Sequence, residues 1–289
     1  MKVLLAVDSS SASDTAVQEV IERPWPAGTT FDVITVVEPW DAPALVEGLR
    51  RSASELLDNI SARLKAPGLS HCTELLSGDP KSEIVDRAGE INADWIVMGS
   101  RGATGINRFL LGSVALGVAR FAPCSVEIVK PRVRDEDCPT AIRILLATDG
   151  SPCSELAAHS IAERPWPKGS EVHVLSVVEL SVPLLRMPPA YFDEHAMQEL
   201  RGAAMQRTEE AEMYAEQIIA DSAMIVSGTV AVPCATPKEL ILEEAQRWGA
   251  DLIVLGSHGR RGINRFLLGS VSEAVAAHAH CSVEIVRHL

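Results

Sequence analysis

The chain is written twice, and that constrains its fold more than any other feature. Glu22, Arg23, Pro24, Trp25 and Pro26 return as Glu163, Arg164, Pro165, Trp166 and Pro167. Asp8 maps to Asp149 and Glu38 to Glu179 at the same offset of 141 residues. Further on the offset is 157: Pro80 maps to Pro237, and Gly105 to Val114 recur unchanged as Gly262 to Val271. A period this long is no solenoid repeat, so the chain reads as a tandem duplication in which each half closes its own fold. The boundaries read as domain 1 over 1–131, a polar linker bounded by prolines over 132–140, and domain 2 over 141–289. The change in offset places a net insertion of 16 residues between Glu179 and Pro237.

Within domain 1 the pattern alternates strand and helix. Val3 to Val7 is a continuous apolar run suited to a buried parallel strand. Ser11 or Ser13 can cap a helix that carries Ala16, Val17, Val20 and Ile21 on one face. Phe31 to Val37 and Cys72 to Leu76 read as strands, with helical periodicity from Leu45 to Leu64 between them. Asp79 and Pro80 open a helix, and Trp95 to Met98 is a fourth strand. A helix from Val114 to Arg120 and a strand from Ser125 to Val129 follow. Domain 2 repeats the order, with Thr236 and Glu239 at capping-box spacing. Alternation of this kind predicts the α/β class, a parallel sheet covered by helices on both faces, with ligands beyond the carboxyl ends of the strands.

At that edge stands the motif with the most chemistry. Gly99, Ser100, Arg101 and Gly102 are followed after nine residues by Gly112 and Ser113; Gly256, Ser257, His258 and Gly259 are followed likewise by Gly269 and Ser270. A strand, a glycine turn and a helix N-terminus form an anion site, because the first helical N–H groups lack partners and the helix dipole is positive there. Asp8 and Asp149 close their first strands at the same edge. Each can accept from a ribose hydroxyl or an adenine amine, or cap the helix that follows. Arg101, Arg108, Arg260, Arg261 and Arg265 supply cations in or beside the glycine turns, for phosphate or for ordinary surface ion pairs. Neither a P-loop nor a dinucleotide fingerprint is present, and no histidine stands beside the serines of both halves as a hydrolytic triad requires.

A net charge of −13 argues against sequence-independent binding to nucleic acid or an anionic membrane. No apolar run reaches membrane-span length and no leader precedes the first strand, which makes the cytoplasm the expected compartment. The six cysteines show no zinc spacing; Cys124 and Cys281, at equivalent positions, read as buried small apolar residues. His278, His280, Cys281 and His288 cluster in sequence, but nothing supplies a second pair of metal ligands, so no metal site is expected.

G-x-x-G, nine residues, then G-S resembles the nucleotide-binding signature of the universal stress protein family. The segments Ala6 to Ser10 and Ala147 to Ser151, and the Cys-Ser-Val-Glu-Ile-Val closing each half, are similar to the same family. The resemblance implies five-stranded sheets of order 3-2-1-4-5, domains paired through their fifth strands, and bound ATP, with Mg as its companion. Apart from the resemblance, self-association through exposed edges makes a homodimer the expected assembly. By position, Val7, Asp8, Ser9 and Val36 would lie near adenine and ribose, with Met98, Gly99, Arg101, Gly102, Gly112, Ser113 and Val114 around ribose and phosphates. Thr148, Asp149, Gly150 and Val177, then Leu255, Gly256, His258, Gly259, Gly269, Ser270 and Val271, are the counterparts. Many relatives have glycine where Ser9 stands, as Gly150 does in domain 2.

The resulting expectation is a tandem stress-adaptation protein that uses ATP as a regulatory or structural ligand, with no catalytic residue and at most slow hydrolysis. The rivals are an ATP-hydrolysing or adenylating enzyme, whose S-G-G-x-D-S loop the residues after either first strand do not match, and a nucleotide-free scaffold. The insertion around Pro188 to Phe192 reads as a lengthened second helix, a contact surface or a lid.

Overall fold

Val3, Leu4 and Leu5 keep no exposed surface, as a central strand covered on both faces requires. They lie on β1 (Lys2–Ala6), which pairs in parallel with β2 (Thr30–Val37) on one side and β4 (Trp95–Gly99) on the other. Outside these run β3 (Ser70–Ser77), parallel to β2, and β5 (Ser125–Val129), parallel to β4. The computed structural model describes residues 1–102, 111–131, 141–178, 194–220, 224–231, 236–259 and 268–287. The proposed linker, Arg108, Arg260, Arg261, Arg265, His288 and the stretch Pro188 to Phe192 lie outside the described residues.

The second half carries β6 (Arg143–Thr148), β7 (Glu171–Val177), β8 (Ile225–Ala231), β9 (Leu252–Gly256) and β10 (Ser282–Val286). Each half has the order 3-2-1-4-5. The two sheets are nevertheless one: β5 and β10 pair antiparallel, giving ten strands in the order β3-β2-β1-β4-β5-β10-β9-β6-β7-β8. The contact through the fifth strands that the resemblance implies is thus a pairing that joins the two five-stranded sheets into one.

The helices follow the duplicated order: α1 (Ser11–Glu22), α2 (Pro43–Lys65), α3 (Pro80–Glu90) and α4 (Ser113–Phe121), then α5 (Pro152–Ala162), α6 (Glu194–Ile219), α7 (Pro237–Trp248) and α8 (Ser270–His278). The cap of α1 is Ser10, not Ser11 or Ser13. Its hydroxyl accepts the Ser13 N–H at 3.1 Å, while the Ser13 hydroxyl accepts the N–H of Asp8 at 3.0 Å. Asp79 caps α3, accepting from the N–H groups of Lys81 and Ser82 at 2.9 and 3.1 Å. At α7 the Glu239 carboxylate accepts the N–H of Thr236 at 2.8 Å, the backward reach of a capping box.

The two faces of the sheet are built differently. Under α3, α4, α7 and α8 one apolar cluster runs across both halves, from Leu4 and Ile96 through Val126 and Val283 to Ile253 and Leu145. Under α1 with α2, and α5 with α6, there are two separate clusters. Between them, at the seam, sit charges. Glu127 and Glu284 are paired residues of β5 and β10, and both are buried. Arg23, at the end of α1, grips Glu127 through both terminal nitrogens at 2.7 and 2.6 Å. Arg164 binds Glu284 at 2.8 Å. Each guanidinium also lies near indoles: Arg164 is 4.2 Å from the ring centre of Trp95 and 4.8 Å from that of Trp166. The repeated Glu-Arg-Pro-Trp-Pro therefore supplies the cation and an indole at each side of the seam.

Candidate functional site

Asp8 follows β1 and Gly99 ends the adjacent β4, so both loops emerge at the carboxyl edge of the sheet where strand order reverses. Serine ties them together. The Ser10 hydroxyl donates to the carbonyl of Arg101 at 3.0 Å, and the Asp8 carboxylate accepts the Ser10 N–H at 3.0 Å. Domain 2 repeats the arrangement: Ser151 donates to the carbonyl of His258 at 3.2 Å, and Asp149 accepts the Ser151 N–H at 3.0 Å. The aspartates thus shape the turn before the helix, and serine does the capping.

The glycines answer first to the protein's own packing. A Cβ on Gly99 would lie 2.6 Å from the backbone of Ala12, and one on Gly256 2.7 Å from that of Cys153, so β4 and β9 approach α1 and α5 too closely for any side chain. At Gly102 and Gly259 it would meet the carboxylates of Asp8 and Asp149, at 2.9 and 2.5 Å. The N–H groups of Gly112 and Gly269 donate to the carbonyls of Ser100 and Ser257 at 2.9 and 2.8 Å, closing the nine-residue excursions. Helices α4 and α8 then begin on glycine, with no side-chain cap among the described residues, in contrast to α1, α3 and α5.

Both uncapped helix starts open into cavities. The domain 1 cavity holds about 700 Å³ and is lined by every position expected there, from Val7, Asp8, Ser9 and Val36 to Met98, Gly99, Arg101, Gly102, Gly112, Ser113 and Val114. The domain 2 cavity holds about 520 Å³. Thr148, Asp149, Val177, Leu255, Gly256, His258, Gly259, Gly269, Ser270 and Val271 line it; Gly150 does not. Gly150 instead takes the left-handed turn at φ 70°, a conformation Ser9 does not share, so the two first loops differ in path.

Residues not proposed from the sequence as ligand contacts complete both sites. In domain 1 they include Trp40, Leu49 and Leu56, which give the cavity an apolar wall beside the hydroxyl of Ser52, with Trp40 61% exposed at its rim. Trp40 follows β2 at the same sheet edge as Asp8, and that position was the available clue. In domain 2 Thr236 and Lys238, at the start of α7, bring a hydroxyl and an ammonium. His258 replaces Arg101, with Nδ1 3.1 Å from the Ser257 hydroxyl. Burial first, and the nearby Arg287 second, lower its pKa. Among the described residues no group of His, Cys, Asp and Glu is arranged to hold a metal. Cys124 and Cys281 are buried, their thiols pushed up to about 12 by burial.

Comparison with known proteins assigns the fold to a family. The model of the "Universal stress protein family" matches residues 1–130 and again 142–287. A universal stress protein of Mycolicibacterium smegmatis is 27% identical over 99% of this chain and 96% of its own. The crystal structure of a universal stress protein from Archaeoglobus fulgidus covers 99% of this chain and 98% of its own, at 23% identity and a TM-score of 0.66, and shares the fold. A universal stress protein solved in complex with cAMP is 25% identical and covers 45% of this chain and 97% of its own, with a TM-score of 0.38. No helix among the described residues is long and apolar enough to cross a membrane. With the family model matched in both halves, this chain belongs to the universal stress protein family, as a tandem two-domain member.

Proposed function

We propose that the two cavities bind adenine nucleotide, ATP with Mg, as a regulatory or structural ligand in stress adaptation. The observation that carries this reading is the pairing, in each half, of an uncapped helix start with an aspartate across one cavity at the sheet's carboxyl edge. The phosphates belong at the N–H groups of Ser113 and Val114, or Ser270 and Val271, where the dipoles of α4 and α8 are positive. The nucleoside belongs toward Asp8 and Val36, or Asp149 and Val177. Mg would come with the phosphates as a charge-neutralising companion.

Asp8 and Asp149 are committed as acceptors to their own turns, which suits a bound ligand better than a base that activates water. Acid extraction of the purified full-length chain should release adenine nucleotide, and titration with MgATP should saturate with turnover at most slow. Rapid hydrolysis would make the protein an enzyme, and no binding of MgATP or of cAMP, the competing probe, would make it a scaffold. Asp8→Ala should weaken ATP more than inorganic triphosphate. Equal losses would show that this carboxylate does not touch the nucleoside.

A further inference from the structure

Two lysines at matching positions of the duplicate take different paths. Lys81 and Lys238 each follow the proline that opens a helix, α3 in domain 1 and α7 in domain 2. Those helices lie beside α4 and α8, whose starts open into the cavities. Lys238 lines the domain 2 cavity, whereas Lys81 does not line that of domain 1, although Pro80 before it does.

The reason lies at two further positions, both matched at the offset of 157. In domain 1, Gly117 of α4 has no side chain and the stem of Lys81 lies across it: a Cβ there would come 2.7 Å from Lys81 Cδ and 3.0 Å from its Cγ. The ammonium of Lys81 then sits 3.6 Å from the Asp79 carboxylate. In domain 2 the counterpart of Gly117 is Ala274, whose methyl group takes the space such a stem would need, and the counterpart of Asp79 is the uncharged Thr236. Glu239 replaces Ser82, but its carboxylate turns back on Thr236, accepting the N–H at 2.8 Å and the hydroxyl at 2.7 Å. Its pKa is lowered first by those bonds and only last by Lys238. The lysine of domain 2 has thus lost both the surface its stem would lie on and the acid that would hold its head. An ammonium in the first turn of a helix is also unfavourable to the dipole, so stability gives no account of its place. The domain whose lysine lines the cavity is the one that lacks an arginine in its glycine turn, since His258 stands where Arg101 stands in domain 1.

We propose that Lys238 binds a phosphate of the nucleotide in domain 2, and that Asp79 and Gly117 keep Lys81 from doing the same in domain 1. The inference rests on the ligand reading above and deepens it, since it names the cation that meets the phosphates at the start of α8. One helical turn, about 5 Å, separates Ala274 from the N–H groups of Ser270 and Val271, so a lysine turned away from Ala274 into the cavity reaches a phosphate seated there. Its three donors and compact charge suit a phosphate oxygen.

The test uses the full chain labelled with ¹⁵N and titrated with MgATP, following the amides of Ser113 and Val114 for one site and of Ser270 and Val271 for the other. Lys238→Met should raise the dissociation constant at the second pair about tenfold, the worth of one charge-assisted hydrogen bond, and leave the first pair unchanged. Lys238→Arg should keep most of the affinity. The urea midpoint of Lys238→Met should not fall, which separates lost binding from lost structure. Lys81→Met should change neither site. Asp79→Thr combined with Gly117→Ala should release Lys81 and tighten the first site, and adding Lys81→Met should remove that gain. No loss at the second pair, an equal loss at both, or a gain at the first that is absent or survives Lys81→Met would overturn the inference while leaving the ligand reading intact. Wild-type amides that do not respond to MgATP at either site would overturn both.

Discussion

Glu127 and Glu284 face each other across the seam with no solvent to disperse their charge, and the guanidinium groups of Arg23 and Arg164, with the Ser160 hydroxyl donating to Glu284, make the arrangement tolerable. Burial raises the pKa of Glu284, and Arg164 opposes that shift. Burial also works against the charge on Arg23, but Glu127 outweighs it and the pKa of Arg23 rises. Removing one member of such a pair strands the other. Glu127→Leu is expected to cost about 3–5 kcal/mol in urea unfolding, whereas the double change Arg23→Met with Glu127→Leu should cost much less. Gly99→Ala should cost about 1–3 kcal/mol by the same measurement, because its methyl group would strike the backbone of Ala12. His173, His258 and His280 each have a pKa lowered first by burial. A depressed folded pKa gives stability that is complete above the unfolded value and is lost as pH falls through the folded one. The urea midpoint should therefore hold above about pH 6.5 and fall as the solution is acidified below it. His258→Asn should flatten part of that slope; a midpoint independent of pH from 7.5 to 5.5 would contradict the assignment. At His173 the Glu244 carboxylate, 3.2 Å away, works in the opposite direction and makes its share smaller.

At the scale of elements, the sequence shows what local chemistry decides and hides what distant partners decide. Val3 to Val7, Trp95 to Met98 and Leu252 to Leu255 are legible as strands because uninterrupted apolar runs have few other homes. Asp79 and Thr236 are legible as helix starts because caps act within four residues. Asp79→Ala should accordingly lower stability by about 1 kcal/mol in urea unfolding, with the cavities retained. The start of α1 is harder, since Ser9, Ser10, Ser11 and Ser13 can all cap, and only the contact of Ser10 with the carbonyl of Arg101 selects one. Glu127 is hardest. Its neighbours Val126 and Ile128 announce a buried strand, and its partner Arg23 lies 104 residues earlier. The apolar wall of the first cavity was hidden for a similar reason: the periodicity of α2 marks a helix, but which of its residues look into the cavity depends on how it packs against β2 and β3.

For the whole molecule, the continuous cluster beneath α3, α4, α7 and α8 and the charged cluster at the seam bind the halves on both faces of the sheet. Calorimetry at neutral pH should therefore show one cooperative transition rather than two. Two resolved transitions would mean that the seam contributes little. Glu127→Leu, which damages only the seam, is the variant most able to separate them.

Because the duplicate is covalently present, each half always finds its mate at high effective concentration, whatever the abundance of the protein. A self-pairing single domain has to keep both members of its pair identical, and every substitution in it lands twice. Here the copies have been released from that obligation. Serine and glycine, arginine and histidine, and glycine and alanine stand at matching positions of one body, so its two receptacles can be tuned to different occupancies by changes that touch only one of them.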